Sequence, residues 1–158
     1  MDPVSEPPPP PETELTFLLG MGFQLLLAEF ETRLAEQGYG DLRPIHGLTF
    51  QALGPAGATS SELAARLGVT KQAAGQIVDD LERRGYVRRE PHPAGGRRRL
   101  VVLTEAAHRH LAVAGRTLHG LEAELGERLD VGVLRAELER LLVALADGRP
   151  LPPLRPVW

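Results

Sequence analysis

The sequence contains no cysteine, and aromatic residues make up only 4% of its 158 residues. The lack of thiols excludes disulfide bridges, thiolate zinc sites and thiol-based redox sensing. Because rings are scarce, a core must be packed mainly by leucine, valine and alanine, which favours helices. The length is that of one domain, and a hydrophobic share of 42% is enough for a proper core.

Long hydrophobic runs are also missing. No uninterrupted run of 18 apolar residues occurs, and the N-terminus is acidic and rich in proline. Neither a membrane span nor a signal peptide is therefore expected, and a soluble cytoplasmic protein is the expectation. Residues 1–13 hold six of the fourteen prolines and are predicted to be a disordered or polyproline arm.

The charge is unevenly distributed along the chain. The net charge is −3, but residues 54–104 carry nine Lys and Arg against five Asp and Glu, a net +4, which leaves −7 for the remainder. All of these cations are arginine except Lys71. This division predicts one basic module that meets phosphate and an acidic remainder that does not.

The basic module begins with the pattern of a helix-turn-helix. Thr59 and Glu62 have capping-box spacing at the start of a first helix, and Gly68 follows its last apolar residue. Thr70 can cap a second helix, which would be free to enter a DNA major groove. The predicted inward positions are Leu63, Ala64, Leu67, Ala74, Ile77, Val78 and Leu81.

A cationic hairpin is predicted directly after the second helix. Gly85 ends that helix, residues 86–87 begin an extended run, and residues 100–103 form a second apolar run of strand length. The loop between them has two prolines, two glycines and flanking arginines. A hairpin of this kind beside a helix-turn-helix is a wing that can lie along a phosphate backbone or reach a minor groove.

The stretch 60–104 resembles the DNA-binding core of MarR-family transcriptional regulators. The matching residues are Glu62-Leu63-Ala64, Leu67-Gly68-Val69-Thr70, Val78-Asp79, Leu81-Glu82, Gly85-Tyr86-Val87, Gly96-Arg97, Leu100-Val101 and Leu103-Thr104. The resemblance implies a mainly α fold with a small β-hairpin wing and with dimerisation helices at both ends. The sequence departs from the family at Gly95, where an Asp is usual two residues before the matching Arg97, and at His92, where an acidic residue is frequent.

Helical patterns flank this core on both sides. A helix is predicted over residues 14–37, ended by a glycine break, and another over 42–53 with Asp41 as its cap. A seven-residue repeat from Ala107 to Leu125 predicts a helix from 105 to about 129, and a second apolar stripe predicts a last helix over 130–147. The predicted units are the arm 1–13, an N-terminal dimerisation helix 14–40, the winged domain 41–104, C-terminal dimerisation helices 105–147 and a proline-rich tail 148–158.

The resemblance implies a homodimer in which the first and last helices of two chains interlock. The flanking helices have more apolar surface than a small winged domain needs, which such a dimer would use. An intrachain helical bundle is the alternative.

The predicted DNA contacts lie on the second helix and on the wing. They are Thr70, Lys71, Gln72, Gly75, Gln76, Arg97 and Arg98. The glutamine amides can read adenine edges, Thr70 and Lys71 suit phosphate, and Gly75 lets the helix backbone come close to DNA. The wing arginines suit a narrow minor groove. The alternative for the helix is a solvated polar face, and Arg83 and Arg84 are assigned to helix-end stabilisation.

A small-molecule site is implied by the resemblance, in a cavity lined by the first, second and fifth helices. The polar candidates are Tyr39, Arg43 and His46, and the effector would be a small aromatic or anionic molecule. The alternative for each of these residues is an ordinary surface or dimer contact.

The sequence as a whole predicts a DNA-binding transcriptional regulator, acting as a repressor on a pseudo-palindromic operator. The alternative is a winged-helix module that binds protein and has no operator. No enzymatic activity, cofactor, metal site or membrane partner is expected, since no phosphate loop is present and His108 and His110 face different sides of a helix.

Overall fold

The computed structural model describes residues 13–155, so most of the predicted N-terminal arm and the last three residues of the tail lie outside it. The described residues form six α-helices and one hairpin. The elements are α1 (Leu15–Leu34), α2 (Pro44–Leu53), α3 (Ser60–Leu67), α4 (Lys71–Arg83), β1 (Val87–Pro91), β2 (Arg99–Leu103), α5 (Glu105–Gly126) and α6 (Val131–Ala146). The mainly α fold with a small β-hairpin wing is therefore confirmed.

The core lies between α2, α3, α4, the hairpin and the start of α5. Its buried members are Phe50, Leu53, Ala58, Leu63, Leu67, Val78, Leu81, Val87, Val101 and Ala107. Ala64 and Ala74 are also buried, and small side chains at these positions allow α3 and α4 to cross closely. This packing places the outer face of α4 and the wing on the same module.

The helix-turn-helix has the local structure that its sequence predicts. The backbone N–H of Glu62 donates to Thr59 Oγ1 at 3.2 Å, and the backbone N–H of Thr59 donates to the Glu62 carboxylate at 2.8 Å. Gly68 ends α3 with φ +68°, in the left-handed region that glycine adopts at little cost. The N–H of Ala73 donates to Thr70 Oγ1, so Thr70 caps α4.

The hairpin is antiparallel, and the short segment before α3 pairs with its second strand. Val87 pairs with Leu103 at one end and Pro91 with Arg99 at the other, while Ala58 bridges to Val101. Gly57 lies directly against this bridge with φ +74°, and a Cβ there would lie 2.4 Å from the carbonyl oxygen of Val101. Only glycine therefore fits at this position.

Several predicted helix ends were wrong. The second helix begins at Pro44 and not at Leu42, with Arg43 as its N-cap in an extended conformation (φ −101°, ψ 163°). The reason is that a residue before proline is disfavoured in helical backbone, while proline suits a first helical position. Helix α5 ends at Gly126, before the predicted Leu129. Helix α1 ends at Leu34 and continues as a wide π-helical turn over Ala35–Tyr39, which contains Gly38 at φ +92°.

The two terminal helices are poorly covered by their own chain. In α6 no residue is buried, and in α1 only Leu34 is. The second half of α1 is held on α5 by Arg33, whose guanidinium donates to both carboxylate oxygens of Glu124 at 2.8 and 2.7 Å. A groove of about 1000 Å³ lies between the start of α1 and α6. Large apolar side chains on both helices therefore face solvent in a single chain.

One segment, Leu15–Tyr39, is long and apolar enough to cross a membrane by length and composition, with a mean hydropathy of 1.2. The expectation of no such segment was based on uninterrupted apolar runs. This segment contains glutamates, but its length and mean hydropathy still meet the criterion for a membrane span. Core helices of soluble proteins and signal sequences share the same properties, so this feature alone does not assign a membrane.

Candidate functional site

The outer face of α4 is polar and exposed at its N-terminal half. Thr70, Lys71, Gln72 and Gln76 are all exposed, and Gly75 lies among them on the same side of the helix. Thr70 Oγ1 accepts the N–H of Ala73 at 3.1 Å, which leaves its hydroxyl proton free to donate outward. The structure therefore brings the five residues predicted on this helix together on one surface.

Two carboxylates on α4 are neutralised by the wing. Arg89, on β1, donates to Asp79 Oδ1 at 2.6 Å and also pairs with Glu82. Asp79 lies three residues beyond Gln76 and would otherwise present a negative charge beside the same surface. Arg89 therefore has a role that sequence reasoning missed, because the pairing joins residues ten apart on different elements.

The cations of α4 and the wing divide into paired and unpaired groups. Arg83 and Arg84 both donate to Asp80, at 3.0 Å each, and Arg88 pairs with Glu90. Within the described chain, Lys71, Arg97 and Arg98 form no ion pair and no side-chain hydrogen bond. These three are the cations that sequence analysis assigned to DNA, and their charge is available to a phosphate.

The tip of the wing is closed by hydrogen bonds around His92. Its backbone N–H donates to the carbonyl of Arg98 at 3.2 Å, and its carbonyl accepts the N–H of Gly95 at 2.8 Å. The ring Nδ1 accepts the N–H of Ala94 at 3.1 Å, as an Asp side chain does in an Asx turn. The imidazole therefore holds the turn at a position where the resemblance leads one to expect a carboxylate.

A mainly apolar cavity of about 400 Å³ lies between α1, the turn that follows it, α2 and α5. Its lining includes Phe23, Phe30, Leu48, Leu111 and Leu118. Of the three polar residues predicted for such a cavity, Tyr39 and Arg43 line it and His46 does not.

His46 is instead fully buried between α2 and α4. Its Nδ1 accepts the backbone N–H of Arg43 at 3.0 Å, so the ring proton of the neutral form is on Nε2. Nε2 lies 3.2 Å from Asp80 Oδ2, although not in hydrogen-bonding geometry. Burial, reinforced by the charge of Arg43, lowers the pKa of His46. Its position helps to fix the start of α2 against α4.

His110 is a buried polar residue of the cavity lining that the sequence prediction of this site did not include. It is 3% exposed and packs edge-on against Tyr39, with ring centroids 4.7 Å apart, and also against Phe50. Its Nδ1 is buried and has no hydrogen-bond partner among residues 13–155. Burial lowers the pKa of His110, which favours the neutral imidazole. His110 lies three residues after Ala107 in α5, and this helical spacing was the sequence signal for its burial.

Residues 41–98 match the sequence model of the MarR family, and this range spans α2, α3, α4, β1 and the wing tip and ends just before β2. This part of the chain, which includes the helix-turn-helix, resembles the MarR family. A search among curated protein sequences found no match.

Solved structures show the MarR fold over most of the chain. Apo MarR from E. coli is 24% identical, with 83% of this chain and 98% of that chain covered and a TM-score of 0.67. CouR from Rhodococcus jostii RHA1, bound to p-coumaroyl-CoA, is 24% identical, with 83% and 91% covered and a TM-score of 0.60. A MepR mutant from S. aureus, bound to an oligodeoxyribonucleotide, is 20% identical, with 85% and 99% covered and a TM-score of 0.61.

Two buried histidines are expected to make the stability of the protein sensitive to mild acid. Because burial lowers the pKa of both His46 and His110, the unfolded chain binds their protons first as pH falls below about 6.5. We expect the free energy of unfolding to be about 1–2.5 kcal/mol lower at pH 5.5 than at pH 7.5. Urea unfolding at the two pH values measures this difference.

Two matched variants compare the contribution of a buried histidine to this pH dependence with that of an exposed histidine. His110→Phe should remove about half of the pH dependence, because the new ring remains among the same aromatic side chains without a titrating group. His108→Gln, on the exposed side of α5, should leave the pH dependence unchanged. Equal unfolding free energies at both pH values in the unmodified chain would contradict the prediction.

Proposed function

We propose that the protein is a homodimeric transcriptional regulator that represses its target by occupying a pseudo-palindromic operator in the cytoplasm. The observation that carries this proposal is the exposed polar face of α4 together with Arg97 and Arg98 of the wing, which form no ion pair within residues 13–155. Gln72 and Gln76 would read base edges in the major groove, while Thr70 and Lys71 would bind phosphate. The wing arginines would enter or follow the adjacent minor groove.

The dimer is supported by apolar surface that a single chain leaves uncovered. Leu25 is 73% exposed on α1, and Val143 is 67% exposed on α6. A partner chain would bury both faces and fill the groove between them. Two α4 helices related by the two-fold axis would then enter successive major grooves about 34 Å apart. That spacing is what makes a two-fold symmetric operator the fitting target.

The apolar cavity supports regulation by a small molecule. The cavity lies between α1 and α5, which are proposed dimer helices, and α2, which is the first helix of the winged domain. In some dimer conformations the distance between the two α4 helices would not match the distance between successive major grooves. A ligand that binds more tightly to such a conformation than to the DNA-binding one would lower operator affinity. CouR, which has this fold, is bound to p-coumaroyl-CoA in its structure.

The test is a competition between the intergenic DNA upstream of the gene and random duplex of equal length. Fluorescence anisotropy at physiological salt should show the upstream duplex binding at least about 1000-fold more tightly, the usual margin of specific over nonspecific binding. Equal affinity for the two duplexes would overturn the proposal.

Gly75 offers a separate check on how closely α4 approaches DNA. A Cβ at this position meets no atom within 4 Å in the free protein. Gly75→Ala should therefore raise the free energy of unfolding by up to about 1 kcal/mol, because alanine favours a helix over glycine. If the α4 backbone lies against DNA, the same methyl should weaken operator binding about fivefold or more.

Gly115→Ala is the matched control, since a Cβ at Gly115 in α5 also meets open space. It should stabilise the protein similarly and leave operator affinity unchanged. Thermal unfolding and anisotropy titrations of both variants measure the two effects. Unaltered DNA binding by Gly75→Ala would show that the backbone of α4 stays away from the duplex.

A further inference from the structure

The C-terminal tail leaves α6 in a defined direction. Gly148 has φ +77°, and the side chain of Arg149 donates to the carbonyl of Ala146 at 2.9 Å, which caps the end of α6. Prolines at positions 150, 152 and 153 then stiffen the segment. A stiff segment loses less conformational entropy when it is held against the protein.

The far end of this tail contacts two parts of the protein that the proposed function uses. Leu154 is among the residues that line the apolar cavity. The guanidinium of Arg155 lies over the end of α3, 3.4 Å from the carbonyl oxygen of Ala65. The tail therefore reaches from α6 to the turn between α3 and α4.

The contact at α3 is fitted to an arginine in two ways. The last carbonyls of a helix carry partial negative charge, which favours a cation there. Gly68 has no side chain, and a Cβ at this position would lie 3.0 Å from Cδ of Arg155. The glycine that ends α3 therefore also makes room for the arginine stem.

We propose that residues 149–155 form a strap that closes the mouth of the cavity and competes with the effector. Leu154 supplies apolar surface at the mouth, and Arg155 anchors the strap to the helix-turn-helix. A ligand that fills the cavity displaces Leu154 and so releases the end of α3 from Arg155. The inference rests on the proposed function only in treating the cavity as the effector site.

The position of the strap can be measured in the intact protein. The chain has no cysteine and a single tryptophan, Trp158, three residues beyond Arg155. A bimane label on Ala65→Cys should be quenched by Trp158, because three residues span at most about 11 Å. We expect at least a twofold loss of bimane fluorescence relative to the same labelled chain carrying Trp158→Phe. Equal fluorescence of the two chains would overturn the strap.

Dilution distinguishes a strap within one chain from an exchange between chains. The labelled chain is mixed with a tenfold excess of unlabelled Trp158→Phe chain and allowed to equilibrate. Quenching that persists supports a strap on its own chain. Quenching that disappears means that the tryptophan belongs to a partner subunit, and the proposal fails.

Competition for the cavity is tested with Nile red, a neutral apolar dye. Leu154→Ser should bind Nile red about threefold to tenfold more tightly than the unmodified protein, because less apolar contact holds the strap. Leu151→Ser is the matched control: Leu151 belongs to the same tail and is 55% exposed, against 63% for Leu154, but it is not among the cavity-lining residues. Equal dye affinity of all three proteins would overturn the competition. Neither assay contains DNA, so absence of operator binding would count against the proposed function alone.

Discussion

Replacing both Arg97 and Arg98 by alanine is expected to weaken operator binding about 10-fold to 100-fold at physiological salt. Both guanidinium groups are exposed and form no ion pair within residues 13–155, so neither has to leave a partner to meet phosphate. The slope of log affinity against log salt should fall by about 1.8, since each lost phosphate contact removes about 0.9. Anisotropy titrations over a range of salt concentrations measure both quantities.

The control for this variant removes the same charge elsewhere. Arg109 and Arg116 are exposed on α5, and neither lines the groove between α1 and α6. The double alanine variant at these positions should keep its operator affinity and its salt slope. If the wing variant also bound DNA normally, the wing would have another role, and a winged-helix module that binds protein would become the better interpretation.

The second large effect is expected at the exposed faces of the terminal helices. The double variant Leu25→Asp with Val143→Asp should be monomeric in analytical ultracentrifugation and should bind the operator at least about 100-fold more weakly. Each carboxylate would be buried without a partner in a dimer, whereas in a single chain both positions are mostly exposed. The circular dichroism spectrum should therefore stay helical.

Leu151→Asp provides the comparison, because it adds the same charge at an exposed leucine outside both helices. That variant should remain a dimer with normal operator affinity. A double variant that stayed dimeric would place the interface elsewhere. An unmodified protein that was itself monomeric would favour the intrachain alternative for the terminal helices.

Much of the helix-turn-helix could be predicted because its determinants are local. The helix caps are examples, because each one contacts backbone groups no more than four residues away. They are Thr59 with Glu62 and Gly68 on α3, and Thr70 on α4. The same kind of local rule would have placed the start of α2 correctly. Asp41 is a good capping residue by type, but Pro44 restricts the residue before it and so determines where the helix begins.

The two buried histidines were visible in the helical spacing but were interpreted by residue type. His46, Thr49, Phe50 and Leu53 form one inward stripe on α2, and His110 has the corresponding spacing on α5. A stripe shows that a side chain faces inward, and it does not show which element lies opposite. His46 meets α4, whereas His110 meets the cavity, and only the tertiary packing separates these outcomes.

Contacts between distant parts of the chain were beyond prediction for the same reason. Arg89 and Asp79 are both charged residues on predicted elements, but nothing local says that β1 brings the guanidinium to that carboxylate. The path of the tail back to α3 is likewise set by packing over 90 residues of sequence. The DNA contacts and the effector residues themselves remain predictions.

The position of Lys71 has a practical consequence for how this protein is handled. It is the chain's one lysine and the first residue of α4, exposed beside Gln72 on the proposed DNA face. Amine-reactive reagents therefore have a single side-chain target. Coupling through Lys71 would immobilise the protein on a sensor by the same surface that is proposed to bind the duplex. A cysteine introduced on an exposed part of α5 would be the sole thiol and would leave that surface open.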